Sequence, residues 1–139
     1  MLKILILDDA KVIRALLKMT LESDGIEVDS ASTVTEATLY TMQKSYDLMI
    51  VDLMLENGHH GFELVKAAKK QGKNTQTPSI MLSAEGSKTC KDDAQELGVK
   101  AWVKKPFTPI GILEVVYKVL DIDFSAPKAL KKSMHHHHQ

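Results

Sequence analysis

The sequence predicts a doubly wound α/β domain, and three observations lead to this prediction. Five short apolar runs alternate along the chain with longer segments whose apolar residues recur at helical spacing. The runs are rich in β-branched residues, which is typical of strands buried on both faces of a parallel sheet. Strict alternation allows each connection to return the chain to the same edge of the sheet. Right-handed connections of this kind place helices on both faces, which gives a (βα)5 arrangement.

The five apolar runs are predicted to be the strands of the sheet. They cover residues 3–7, 27–31, 48–51, 79–82 and 101–103. Each run is short, and each is followed by polar or charged residues that mark the end of the strand.

Helices are predicted over residues 11–24, 34–44, 62–71 and 88–97, and from residue 109 onward. Thr33 with Glu36 fits a capping box, Thr108 before Pro109 fits an N-cap with proline in the first turn, and Ser87 is a candidate cap for the fourth helix. The first helix carries two adjacent apolar stripes, which are Val12, Leu16, Met19 and Ile13, Leu17, Leu21.

The 139-residue chain has the length and composition of one globular domain. Its charged residues cancel to a net charge of zero, so bulk charge indicates neither a nucleic-acid nor a membrane partner. Cys90 is the only cysteine and no apolar run is long enough to cross a membrane, so a cytoplasmic location is expected. We expect one domain over residues 1–121 and a tail over 122–139, whose four histidines at 135–138 resemble a purification tag.

Ionisable side chains follow three of the predicted strands at the point where each strand ends. Asp8 and Asp9 follow the first strand, Asp52 follows the third, and Lys105 follows the fifth closely. Ligands of such sheets bind beyond the carboxyl ends of the strands, so we expect these groups to meet. Three neighbouring carboxylates raise one another's pKa unless a cation joins them, and carboxylate oxygens suit Mg²⁺. The sequence therefore predicts a magnesium site, where Mn²⁺ can substitute.

The same residues suggest phosphoryl chemistry. A carboxylate such as Asp52 can attack phosphorus and form an aspartyl phosphate. The oxygens of a transferring phosphoryl group carry spread negative charge, which a metal ion, an ammonium group and a hydroxyl donor can stabilise together. Lys105 and Ser83 supply the ammonium and the hydroxyl, although Ser83 could instead only cap the fourth helix.

Four short motifs occur in order along residues 2 to 120. They are Leu7-Asp8-Asp9, Val51-Asp52, Ser83-Ala84 and Lys105-Pro106-Phe107. Together they resemble the receiver domain of two-component response regulators, the CheY-like family. The resemblance implies a five-stranded parallel, flavodoxin-like sheet in the order 2-1-3-4-5.

The resemblance also implies roles for the acidic residues. Asp52 would be the phosphoacceptor and would also ligate Mg²⁺. Asp9 would bind the ion directly, Asp8 mainly through water, and Met54 through its backbone carbonyl. The phosphoryl donor would be a phosphohistidine of a sensor histidine kinase or of a histidine phosphotransfer protein.

A second group of residues would respond to the phosphoryl group. Ser83 would move toward its oxygens, Lys105 would form an ion pair with it, and Trp102 would turn inward as a switch residue. Plain packing is the alternative for Trp102. The resemblance further implies a cis peptide bond between Lys105 and Pro106.

The segment after Asp52 departs from the family pattern. Family members commonly have proline four residues after the phosphoacceptor and glycine eight residues after it, whereas this chain has Glu56 and Gly61. We therefore expect a loop over residues 56–61 that is longer by one residue. His59 and His60 are interpreted as exposed loop residues. Met54 and Glu85 occupy positions that tune autodephosphorylation in the family.

The implied function is signalling, with a surface of helix 4, strand 5 and helix 5 that switches toward an unknown protein target or output domain. A phosphorylation-dependent homodimer is a further expectation. We expect this domain to bind neither nucleic acid nor a membrane directly. The domain would be no enzyme beyond its own phosphotransfer and autodephosphorylation.

Two alternatives stay open. A Mg²⁺-dependent phosphatase of the haloacid dehalogenase kind would need an acidic residue two positions after its nucleophile. At that distance this chain has Met54 after Asp52 and Ala10 after Asp8, and neither is acidic. A flavodoxin-like electron carrier would need a Ser/Thr/Gly-rich phosphate loop after the first strand, and this chain lacks one there.

Overall fold

The computed structural model describes residues 1–84 and 88–123. Five strands and five helices alternate along these residues. The strands are β1 Lys3–Leu7, β2 Glu27–Ala31, β3 Leu48–Asp52, β4 Ser79–Ser83 and β5 Val99–Lys104. The helices are α1 Lys11–Ser23, α2 Val34–Gln43, α3 Phe62–Lys70, α4 Lys88–Glu96 and α5 Pro109–Val119, and a 3₁₀ turn covers Glu56–Gly58.

The strands form one parallel sheet in the order β2-β1-β3-β4-β5. Both the doubly wound class and the strand order expected from the sequence are confirmed. β1 lies between β2 and β3, which puts the reversal of strand order beside the carboxyl end of β1. This is the place where open α/β sheets bind ligands.

Apolar side chains from the sheet enter two separate cores, one on each face. Leu5, Met49 and Val51 pack on one side with residues of α2 and α3. Ile4 and Ile50 pack on the other side with residues of α1 and α5. Because successive residues of a strand point to opposite faces, burial of both faces explains why the central strands are continuous apolar runs.

Only one of the two apolar stripes on α1 enters the core. Leu17 and Leu21 are buried and Ile13 is partly buried against the same cluster, whereas Val12 and Met19 are 77% and 69% exposed. A helix on a sheet buries a single face, so the neighbouring stripe of α1 lies mostly in solvent, with only Leu16 partly buried.

The two predicted helix caps form, with one change of partner. Thr33 accepts a hydrogen bond from the Glu36 N–H at 3.1 Å, and the Glu36 carboxylate accepts from the Ser32 N–H at 2.9 Å instead of from Thr33. Thr108 accepts from the Gly111 N–H at 3.0 Å, with Pro109 in the first turn of α5. The proposed cap Ser87 and the proposed tag at 135–138 lie outside the described residues.

The segment between β3 and α3 folds back as a short hairpin. Met54 and His60 form an antiparallel bridge, and the Leu55 N–H donates to the His59 carbonyl at 3.0 Å. The Gly61 N–H then donates to the Leu53 carbonyl at 2.7 Å, which returns the chain to the end of β3. The segment that departs from the family pattern is therefore an ordered turn. None of the helices in residues 1–84 and 88–123 is long and apolar enough to span a membrane.

We predict that Gly61→Ala destabilises the protein more than Gly58→Ala. A Cβ atom at position 61 would lie 2.2 Å from the Asp52 carbonyl oxygen, so backbone would have to move, at a cost of about 2 to 3 kcal/mol. Gly58 has open space around it but a φ of +76°, which costs an alanine about 1 kcal/mol. Chemical denaturation of both variants measures the difference. An equal or smaller loss for Gly61→Ala would contradict the prediction.

Candidate functional site

Three carboxylates meet at the carboxyl edge of the sheet. Asp8 and Asp9 follow β1, and Asp52 is the last residue of the neighbouring strand β3. One oxygen of each lies within 4.8 Å of the others. Asp8 is fully buried and Asp52 is 5% exposed, while Asp9 is half-buried. The acidic cluster expected from the sequence is therefore present, and most of it is shielded from water.

The ammonium group of Lys105 lies between two of these carboxylates. Its Nζ atom is 3.0 Å from Asp8 Oδ2 and 3.1 Å from Asp52 Oδ1. The Lys105 backbone N–H donates to the Ser83 carbonyl at 2.8 Å, which holds the residue close to the end of β4. The peptide bond between Lys105 and Pro106 is cis, as expected from the sequence.

The pKa values show that one ammonium group does not neutralise the cluster. Burial and, to a smaller extent, the charge of Asp8 raise the pKa of Asp52, Lys105 opposes both effects, and the net result is a pKa of about 6. Burial alone would lower the pKa of Lys105, but its hydrogen bonds and ion pairs with Asp8 and Asp52 raise it instead. The site therefore holds a firmly protonated lysine and an excess of buried negative charge.

Backbone groups and one arginine orient the acidic residues. Asp8 Oδ1 accepts from the Ala10 N–H at 2.9 Å, and the Arg14 guanidinium donates to the Asp8 carbonyl at 2.8 Å. Asp9 Oδ2 accepts from the Glu56 N–H at 2.7 Å. The sequence did not predict the contacts of Arg14 and Glu56. The Glu56 contact uses a backbone donor, which leaves no signal in residue type.

Of the other predicted site residues, Ser83 and Met54 lie at or just beyond the carboxyl edge of the sheet, and Trp102 lies within β5. Ser83 is buried at the end of β4, one residue beyond the pairing of Leu82 with Asp52. Trp102 lies on β5 and packs, partly buried, against the core on the face of α2 and α3. Met54 is 62% exposed. Glu85 lies outside the described residues.

The donor set fits a divalent cation. Carboxylate oxygens are the hard ligands that Mg²⁺ and Mn²⁺ prefer, and Mg²⁺ usually keeps several waters. A cleft of about 630 Å³ opens beside Asp9, between Thr33 and Thr35 on one side and Glu56 and His59 on the other. A hydrated ion can therefore reach the cluster from solvent.

Comparison with known proteins identifies the family to which this fold belongs. The family model for the response regulator receiver domain matches residues 4–117. The chain belongs to the response regulator receiver domains. The sequence-based identification is thereby confirmed.

Curated and solved relatives agree with this assignment. This receiver domain is 38% identical over 117 residues to the transcriptional regulatory protein SrrA of Staphylococcus aureus, across 84% of this chain and 46% of that protein. The chain thus spans about half the length of the curated relatives it matches. The chemotaxis protein CheY4 of Vibrio cholerae is 34% identical with a TM-score of 0.81, covering 86% of this chain and 98% of that one. The HemR receiver domain of Leptospira biflexa is 28% identical with a TM-score of 0.79, covering 91% of this chain and 100% of that one.

We predict that Asp52→Asn stabilises the metal-free receiver domain at neutral pH. Because the folded pKa of Asp52 is raised from 3.8 to about 6, the folded state holds a proton between these pH values that the unfolded state has lost. The contribution of this carboxyl to stability therefore falls as pH rises from about 4 to about 6, and the loss is complete above that range. The variant should be more stable by about 1 to 3 kcal/mol at pH 7.5.

Denaturation of both proteins in a chelating buffer, at a series of pH values from 4 to 8, measures this difference. The gain in stability of the variant should grow from pH 4 to about pH 6 and stay constant at higher pH. A gain that is constant with pH, or a variant less stable than the wild type at pH 7.5, would contradict the prediction.

Proposed function

We propose that Asp52 accepts a phosphoryl group in a Mg²⁺-dependent reaction, with a phosphohistidine of a sensor histidine kinase or histidine phosphotransfer protein as donor. One observation supports this most strongly. The Asp52 carboxylate is buried between two further carboxylates and an ammonium group 3.1 Å away. A buried carboxylate in surplus negative charge has no structural purpose in a core, because burying it costs free energy.

The residues of the cluster divide into metal ligands and phosphoryl contacts. Asp9, Asp52 and the Met54 carbonyl would bind the ion directly, and Asp8 would bind it through water. Bound Mg²⁺ offsets the charge on the phosphoryl oxygens. An Asp52 oxygen attacks phosphorus, a P–O bond forms, and the P–N bond to the histidine of the donor breaks. Lys105 already lies beside the attacking carboxylate and pairs with the incoming phosphoryl oxygens.

Phosphorylation would then change which conformation is populated. In the proposed active state Ser83 donates its hydroxyl to a phosphoryl oxygen, and Trp102 on the neighbouring strand β5 turns inward. A phosphoryl group can shift this equilibrium only by binding one state better than the other. The surface of α4, β5 and α5 is proposed to change with phosphorylation, because Ser83 precedes α4 in the chain and Lys105 lies between β5 and α5.

Exposed apolar residues in the segments that follow β1, β3 and β5, at the carboxyl edge of the sheet, suggest where the phosphoryl donor docks. Val12 lies in the first turn of α1, Met54 follows β3, and Ile110 lies in the first turn of α5, and all three are more than half exposed. A protein donor has to cover this edge in order to reach Asp52. We propose that these side chains contact it.

The proposed output is signalling to a protein partner, and the proposed location is the cytoplasm. Catalysis is proposed to be limited to the domain's own phosphotransfer and autodephosphorylation. SrrA is named a transcriptional regulatory protein. Control of transcription, through an output domain or a separate target, is the output class that this relative supports. A phosphorylation-dependent homodimer is part of the same proposal.

We predict that acetyl phosphate with Mg²⁺ adds one phosphoryl group to the protein, detectable by intact-mass spectrometry. Asp52→Asn should gain none, since the nucleophile is removed, and chelation of Mg²⁺ should abolish the gain in the wild type. Asp92→Asn, an exposed carboxylate on α4, is the matched control and should be phosphorylated normally. An unchanged mass gain in Asp52→Asn would refute the proposal, as would steady turnover of a phosphomonoester in place of a single modification.

We further predict that Val12→Glu slows phosphorylation by a phosphohistidine protein at least about tenfold and leaves phosphorylation by acetyl phosphate intact. A buried charge at the centre of an interface is costly, whereas a small donor needs no such contact. Leu39→Glu, at a side chain on α2 that is also more than half exposed, is the control. Single-turnover transfer rates measure the effect. Equal slowing with both donors would show that Val12 acts on the site and not on docking.

A further inference from the structure

Position 56 contacts the acidic cluster through its backbone. The Glu56 N–H donates to Asp9 Oδ2 at 2.7 Å, the shortest distance expected for such a bond. Lys105 contacts the other two carboxylates, Asp8 and Asp52. Each of the three carboxylates therefore has a donor, and the donor for Asp9 comes from the hairpin between β3 and α3. A proline, which is common at this position in receiver domains, has no N–H to give.

The hairpin fixes the direction of this N–H. On one side of Glu56, the Leu55 N–H is bonded to the His59 carbonyl. On the other side, the Glu56 carbonyl accepts from the His59 N–H at 3.4 Å. The hairpin is tied to α3 as well, since Glu63 accepts from the His60 N–H at 2.6 Å and lies 3.3 Å from the His59 ring. The donor is thus held by a small hydrogen-bonded unit and not by a free loop.

We infer that the Glu56 N–H is a positioning group that holds the Asp9 carboxylate in place for divalent-cation binding. This inference rests on the proposed magnesium site. Three carboxylates within 4.8 Å repel one another, and a half-buried one could turn toward solvent. The N–H occupies one oxygen of Asp9 and leaves the other to ligate the ion. Groups that orient metal ligands in this way typically change metal affinity by about 10- to 100-fold when removed.

Proline at position 56 removes the N–H with little other disturbance. Leu55 is extended, with φ −109° and ψ 162°, which is the conformation that a residue before proline adopts. Glu56 is the first residue of a 3₁₀ turn, a position that tolerates proline. Glu56→Ala is the matched control. Both variants lose the exposed carboxylate, and only the proline variant loses the N–H.

Titration of each protein with MgCl₂, followed by isothermal calorimetry at fixed pH and ionic strength, tests the inference. We expect Glu56→Pro to bind Mg²⁺ about tenfold more weakly than Glu56→Ala. Affinities that agree within about twofold would overturn the inference, as would tighter binding by the proline variant, which would mean that the N–H competes with the metal. If the wild type itself binds no Mg²⁺, the proposed function fails together with the inference. If the wild type binds and the two variants are equal, only the inference fails.

A second measurement does not depend on the proline variant. Amide hydrogen exchange of Glu56, measured by NMR in metal-free protein, is compared between the wild type and Asp9→Ala, with the Leu55 amide as the internal reference. Loss of the acceptor should raise the ratio of the Glu56 rate to the Leu55 rate about tenfold. A ratio that does not change would overturn the inference, because the bond would then not exist in solution.

Discussion

The site depends on an imbalance of charge at one sheet edge. Three carboxylates lie within 4.8 Å of one another, and the ammonium group of Lys105 contacts two of them, Asp8 and Asp52, which are almost completely buried. The raised pKa of Asp52 is a direct consequence of this arrangement. The free energy of burying this charge has to be offset elsewhere, which supports the proposed binding of a cation and a phosphoryl group.

The fold explains how residues so far apart in the chain come together. Parallel strands all end at the same edge, so Asp9, Asp52 and Lys105 meet although almost 100 residues separate the first from the last. Burial of both sheet faces makes these strands rigid platforms, and the short segments that follow them carry the chemistry. Gly61 packs against the Asp52 carbonyl, and the hairpin before it reaches Asp9. The strand of the proposed phosphoacceptor and the proposed metal ligand Asp9 are therefore linked by the same few residues.

Much of this could be predicted from the sequence, because the strongest signals come from continuous patterns. β1 and β2 have the predicted bounds, and the acidic cluster follows from where strands end. β5 was predicted as 101–103 but covers Val99–Lys104, since the exposed Lys100 interrupts the apolar run on this edge strand. The exposure of Val12 and Met19 was not predictable, because helical spacing alone does not say which of two adjacent stripes faces the sheet. The Glu56 contact escaped prediction because it depends on a backbone N–H and on the pairing of Met54 with His60.

The central claim is that one divalent cation binds among the three carboxylates. Crystals of the protein soaked in MnCl₂, with anomalous diffraction data collected above the manganese absorption edge, test it most directly. The account predicts one anomalous peak at this sheet edge, within coordination distance of carboxylate oxygens of Asp9 and Asp52 and of the Met54 carbonyl. No peak at this edge, or a peak bound only by residues outside the cluster, would contradict it.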